Sequence, residues 1–134
     1  MNAPTIPFVK ASACGNDFLI IDGMHAPADL SAFSRRICER HNGIGADGVE
    51  WLFPAQDADI RARLINADGS DAEISGNGTR CVAAYLCSET PRERLTIRTG
   101  AGLKTCSLTA HSGTTFEFEV AMGEPQLEIG PSLS

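Results

Sequence analysis

Apolar residues in this chain come in short runs broken by clusters rich in Gly, Asn and Asp, and the spacing of the runs changes along the sequence. Residues 18–22 are almost wholly apolar between Asn16-Asp17 and Gly23, which predicts a buried strand. Leu30, Phe33, Ile37 and Cys38 then recur at helical spacing. Asp29 or Ser31 can cap that helix, which is expected to run to about Arg40 and to stop at Asn42-Gly43. Residues 49–53 and 60–65 read as strands; in the second, Ile60, Ala62 and Leu64 alternate with Arg61 and Arg63, a half-buried pattern. Residues 79–87 differ, because Cys81, Val82, Ala83, Ala84, Tyr85, Leu86 and Cys87 cover the whole circumference of a helix. A helix apolar all round is expected inside something. Strands are expected over 95–99, 103–109 and 115–122, joined by Gly100-Ala101-Gly102 and Ser112-Gly113. In the last, Phe116, Phe118 and Val120 alternate with Glu117 and Glu119, leaving one face wet. The pattern dissolves from Gly123-Glu124-Pro125 onwards. The pattern predicts an α+β fold with strands packed around a central helix, one domain over 1–122, and a tail or the start of a connection over 123–134.

Composition narrows the class. The chain has 134 residues, 43% hydrophobic and 21% charged, which suits one globular domain burying roughly two thirds of its unfolded surface. Eleven Lys and Arg against seventeen Asp and Glu give a charge of -6. Only Lys10 and Lys104 are lysines and the arginines are scattered, so no basic tract exists to replace nucleic-acid counterions, and no nucleic-acid partner is expected. The strongest apolar run, Phe18-Leu19-Ile20-Ile21, is far too short to span a bilayer, and Met1-Asn2-Ala3-Pro4 does not read as a signal peptide. A cytoplasmic location without a membrane partner is the expectation. Five cysteines, at 14, 38, 81, 87 and 106, form no Cys-x-x-Cys pair, and His25, His41 and His111 are isolated from them. Buried thiols and surface histidines are expected, and no metal.

Three clusters are too polar and too flexible to build a core: Gly15-Asn16-Asp17-Phe18, the stretch from His41 to Gly48, and Asn66-Ala67-Asp68-Gly69-Ser70 continuing to Ser75-Gly76-Asn77-Gly78-Thr79-Arg80-Cys81. Turn chemistry accounts for most Asn-Gly and Asp-Gly pairs. The third cluster also leads straight into the apolar helix, so unpaired N–H groups and the positive end of the helix dipole would face whatever lies above it. It is neither a P-loop nor a dinucleotide fingerprint, because the Lys-Ser/Thr pair and the third glycine are missing. A small carboxylate, held further by amides such as Asn16, Asn66 and Asn77, fits this arrangement.

These motifs, with Arg40-His41-Asn42-Gly43-Ile44-Gly45-Ala46-Asp47-Gly48 among them, occur in the order and at the spacing of a known family: the chain resembles the N-terminal half of diaminopimelate epimerase over most of residues 8 to 125. The resemblance implies one half of a two-domain fold, each half a barrel-like sheet around a central helix. It also implies a cofactor-independent isomerase, working without pyridoxal phosphate, that inverts one α-carbon of diaminopimelate for lysine and peptidoglycan synthesis. Two thiols, one on each face of the carbon, act there as base and acid. Carried over residue by residue, Asn16 and Asn66 would bind the substrate, and Gly76 and Asn77 would offer backbone amides to its α-carboxylate.

Two departures stand against that pattern. The family's first catalytic cysteine is Ser75 here, and a hydroxyl with a pKa nearer ~15.7 than a thiol's ~8.5 is a poor proton acceptor. A natural variant with altered chemistry, an introduced cysteine-to-serine change and a chain without the activity all remain open, as does a thiol from Cys14. The second departure is the absence of residues matching the family's C-terminal half, so a second epimerase-like domain is implied to complete the site. A homodimer is implied by the resemblance alone. Related readings are an amino-acid racemase, a proline-derivative dehydratase, or a non-catalytic carboxylate-binding half.

Overall fold

The computed structural model describes residues 5–72 and 75–122. Its strands are β1 (Val9–Ala13), β2 (Asn16–Asp22), β3 (Gly48–Phe53), β4 (Ile60–Asn66), β5 (Asp71–Ala72), β6 (Arg94–Thr99), β7 (Gly102–Ser112) and β8 (Thr115–Met122); its helices are α1 (Leu30–Cys38) and α2 (Gly76–Glu89). One sheet runs in the order β1-β2-β3-β4-β6-β7-β8, with β5 on β4. The pairs β2/β3 and β4/β6 are parallel and the others antiparallel. Helix α2 touches β1 and β2 near one end of that order and β6 and β8 near the other, so the sheet curls around it.

Each face of the sheet has its own core. Toward α2 lie Phe18, Ile20, Leu52, Ala62, Leu64, Leu95, Ile97, Cys106 and Phe118, packed on Cys81, Val82, Ala83 and Cys87. On the outer face Leu19, Ile21, Val49, Trp51 and Ile65 pack on Leu30, Phe33, Ile37 and Cys38 of α1, the four positions expected to form its buried stripe. Trp51 is fully buried there, and its indole N–H donates to Ser34 Oγ at 2.9 Å, so its one polar atom is satisfied. With both faces covered, β3 is buried from Gly48 to Leu52.

Several expectations need correction. Helix α1 ends at Cys38 rather than near Arg40: Glu39 folds back, its carboxylate accepting the His41 and Asn42 N–H groups at 2.9 and 2.7 Å. Helix α2 begins at Gly76, three residues before the apolar stretch, because Ser75 caps it, and it continues to Glu89. Its enclosure is incomplete, since Arg80, Ala84 and Tyr85 stay half-buried along a groove of about 820 Å³ between β1 and the β7–β8 hairpin. Strand β1 was not anticipated; Cys14 and Gly15, both at positive φ, make a two-residue turn that folds it onto β2. Cys14 is exposed in that turn, whereas the other four cysteines are buried. No helix among the described residues is long and apolar enough to cross a membrane. The expected tail over 123–134 lies outside the described residues.

Candidate functional site

The polar clusters meet at one end of the sheet. Phe18 pairs with Gly48 and Gly48 with Asn66, so the start of β2, the start of β3 and the end of β4 lie side by side. The loop from Arg40 to Asp47 is clamped to the β1–β2 hairpin. Asp47 Oδ2 accepts the Asp17 backbone N–H at 2.9 Å and the Asn16 amide at 3.3 Å, and Arg40 Nη2 reaches both Asp17 and Asp47 at 2.9 and 3.2 Å. Lys10 adds a further contact to Asp17 at 3.4 Å. Bonding to the Arg40 guanidinium holds the Asp17 carboxyl well below the usual carboxylate range, against the opposing effect of its partial burial. Ala67 N–H donates to Asp47 O at 3.0 Å, tying the next turn to the same clamp.

Helix α2 docks above this end. Asn77 Nδ2 donates to Asn16 Oδ1 at 2.8 Å across 61 positions of sequence, so two candidate ligand-binding amides are brought into contact. Ser75 has extended backbone geometry (φ -142, ψ 121), and its Oγ accepts the Gly78 N–H at 3.0 Å while its carbonyl takes Thr79 N–H at 2.9 Å. Such a cap contributes about 1 kcal/mol. The Gly76 and Asn77 N–H groups have no acceptor among the described residues and carry the positive end of a 14-residue helix. Gly76 is exposed and Ser75 and Asn77 are half-buried, so this first turn is reachable from solvent.

Asn66 lies at the same end of the sheet, but no hydrogen bond joins it to Asn16, Ser75, Gly76 or Asn77. Its amide donates to Ser70 Oγ at 3.0 Å and its backbone N–H to Ser70 O at 2.8 Å, closing the Asn66–Ser70 turn. Ser70 in turn bonds Asp68 and lowers its carboxyl. Among the described residues no three His, Cys, Asp or Glu side chains converge as metal ligands.

One residue beside the site was not singled out from the sequence. Glu50 stands in β3 between Ile20 and Leu64, on the side facing α2, and is 3% exposed. Burial alone pushes its carboxyl up to about 8. The signal was a carboxylate in the inward phase of an otherwise apolar strand, Gly48-Val49-Glu50-Trp51-Leu52-Phe53. Nearby Cys81 is no proton acceptor, because burial pushes its thiol up to about 12.

Known proteins resemble this chain. The diaminopimelate epimerase family matches residues 8–128. A diaminopimelate epimerase of Pelotomaculum thermopropionicum is 40% identical over 126 residues, covering 90% of this chain and 45% of the relative. One from Acidiphilium cryptum is 44% identical over 122 residues, covering 90% and 43%. The chain thus spans less than half the length of these curated relatives. Among solved structures, a probable proline racemase from Agrobacterium radiobacter with bound carbonate superposes with a TM-score of 0.63 at 20% identity, over 80% of this chain and 38% of that one. That likeness is one of fold, a curled half-barrel around a helix.

Proposed function

Since the chain belongs to the diaminopimelate epimerase family, we propose that it forms the N-terminal half of a cofactor-independent amino-acid epimerase in the cytoplasm, acting on diaminopimelate with a second domain supplying the other half of the site. The observation that carries this reading is the first turn of α2: two N–H groups without an acceptor among the described residues, beside the bonded pair Asn77–Asn16. The chemistry asks for such a feature. Removing a weakly acidic α-proton leaves charge that flows into the substrate's carboxylate, and fixed N–H donors at a helix start stabilise that charge more as it grows. In this reading Gly76 and Asn77 receive the α-carboxylate, Asn16 and Asn66 orient the rest of the amino acid, and position 75 faces the α-proton.

Ser75 is the weak point of that scheme, being a hydroxyl where a thiolate is needed. Its Oγ already serves as the acceptor for Gly78 N–H. That bond favours a second reading, in which this half binds the carboxylate and position 75 only shapes the helix start. Solvent-deuterium incorporation at Cα of diaminopimelate separates the two, measured on the chain joined to the C-terminal half of a curated relative. Ser75→Cys is expected to raise exchange by ~100-fold or more. Equal rates with serine and cysteine would remove position 75 from the proton path and leave the binding reading.

A further inference from the structure

We propose that Glu50 sets the pH dependence of this site without touching the ligand: its carboxyl lies beneath the first turn of α2, and its proton must be in place for an anionic carboxylate to dock on the Gly76 and Asn77 N–H groups. The proposal rests on the carboxylate-binding reading above. Glu50 points from the middle of β3 into the space between the sheet and α2, flanked by Ile20 and Leu64 in register. It is buried, and no described residue makes a hydrogen bond to its carboxyl. Its Oε2 lies so close to Gly78 that any side chain at position 78 would collide with it, and Ser75 Oγ is 3.4 Å from where that side chain would begin. The carboxyl and the capping hydroxyl therefore border the same small space under the helix start.

Among the described residues no basic side chain forms an ion pair with Glu50. From α2 the titratable neighbour is Cys81, a thiol that stays neutral. Strand β2 presents Ile20 opposite, and Asp17 at its start, a charge already held by Arg40 and Lys10. Strand β4 presents Leu64. Among the described residues, the favourable field facing a Glu50 carboxylate is the positive end of α2, which a ligand carboxylate would also occupy. Two anions sharing one helix end in a dry setting repel strongly. With its proton on, Glu50 leaves that end to the ligand.

Isothermal calorimetry of diaminopimelate binding to the full chain, between pH 6 and pH 9.5 and in buffers of different ionisation enthalpy, tests this. Affinity is expected to fall about tenfold from pH 7 to pH 9, with close to one proton taken up per ligand at the higher pH. Glu50→Gln should keep the pH 7 affinity at pH 9 apart from any change due to the ligand's own groups, and take up no proton through position 50. Should that variant not fold, ¹³C NMR of the Glu50 carboxyl in the unaltered chain replaces it, its titration moving to higher pH on saturation with ligand. The same pH dependence in Glu50→Gln, or a Glu50 titration that ligand does not move, would overturn this proposal alone. No binding by either form at any pH would overturn the carboxylate-binding reading and this proposal together.

Discussion

At the residue scale, Glu50 ties stability to pH. Its folded-state carboxyl holds a proton up to about pH 8, whereas an unburied glutamate releases it near 4.5. Between those values Glu50 holds its proton in the folded chain and not in the unfolded one, so its contribution to stability is full below about pH 4.5, declines as pH rises, and is lost above about 8. The size of the decline is roughly 3–5 kcal/mol. Urea unfolding at pH 5 and pH 9 should show it, and Glu50→Gln should flatten the difference; an equal decline in the variant would assign it to other groups. Asp17 acts in the opposite direction. Its lowered carboxyl contributes stability above the ordinary aspartate value, and that contribution is lost as pH falls into the acid range.

At the element scale, the clamp between the β1–β2 hairpin and the loop before β3 matters more than the number of surface ion pairs suggests. Asp47 accepts from a backbone N–H, an amide and a guanidinium at once, and Asn16 hangs from it. Asp47→Ala strands those donors, and a loss of about 1–3 kcal/mol in denaturant unfolding is expected. Arg63→Ala removes the pair with Asp71 at 3.0 Å, but both side chains are largely in solvent. Its cost should stay below about 1 kcal/mol. Comparable losses from the two variants would mean that the clamp is no more than another surface pair. Helix α2 shows the same dependence on context. Gly76, Asn77 and Gly78 are poor helix formers, yet a Ser75 cap, the Asn16 bond and contact with Glu50 hold them helical.

At the scale of the whole molecule, a curled sheet with both faces covered at its centre and open at its edges should open unevenly. Strands β3 and β4 lie mid-sheet between the two cores, while β1 and β8 are edge strands flanking the groove along α2. Amide hydrogen exchange followed by mass spectrometry is expected to be slowest in β3 and β4 and fastest in β1, in the distal part of the β7–β8 hairpin and at the first turn of α2. Uniform protection across the sheet would contradict this. Such a gradient suits a site at the start of α2, where a ligand and a second domain would supply contacts that this half leaves open.

Sequence alone determined what depends on local pattern. The strand at 115–122, the buried stripe of α1 and the apolar helix at the centre were legible because side-chain periodicity and burial follow the same geometry. The family was legible for a similar reason, its motifs being local strings. Strand β1 was not legible, although Val9, Ala11 and Ala13 alternate with Lys10 and Ser12, because two of its three apolar positions are small alanines and the segment becomes a strand by pairing with β2. Nor could spacing show that Asn16 meets Asn77, that Asn66 bonds Ser70 within its own turn, or that Glu50 lies under Gly78. Those facts depend on strand register and on how α2 settles into the curled sheet. Pair energies between residues far apart in sequence take effect only once the chain has closed on itself, so the tertiary structure alone decided them.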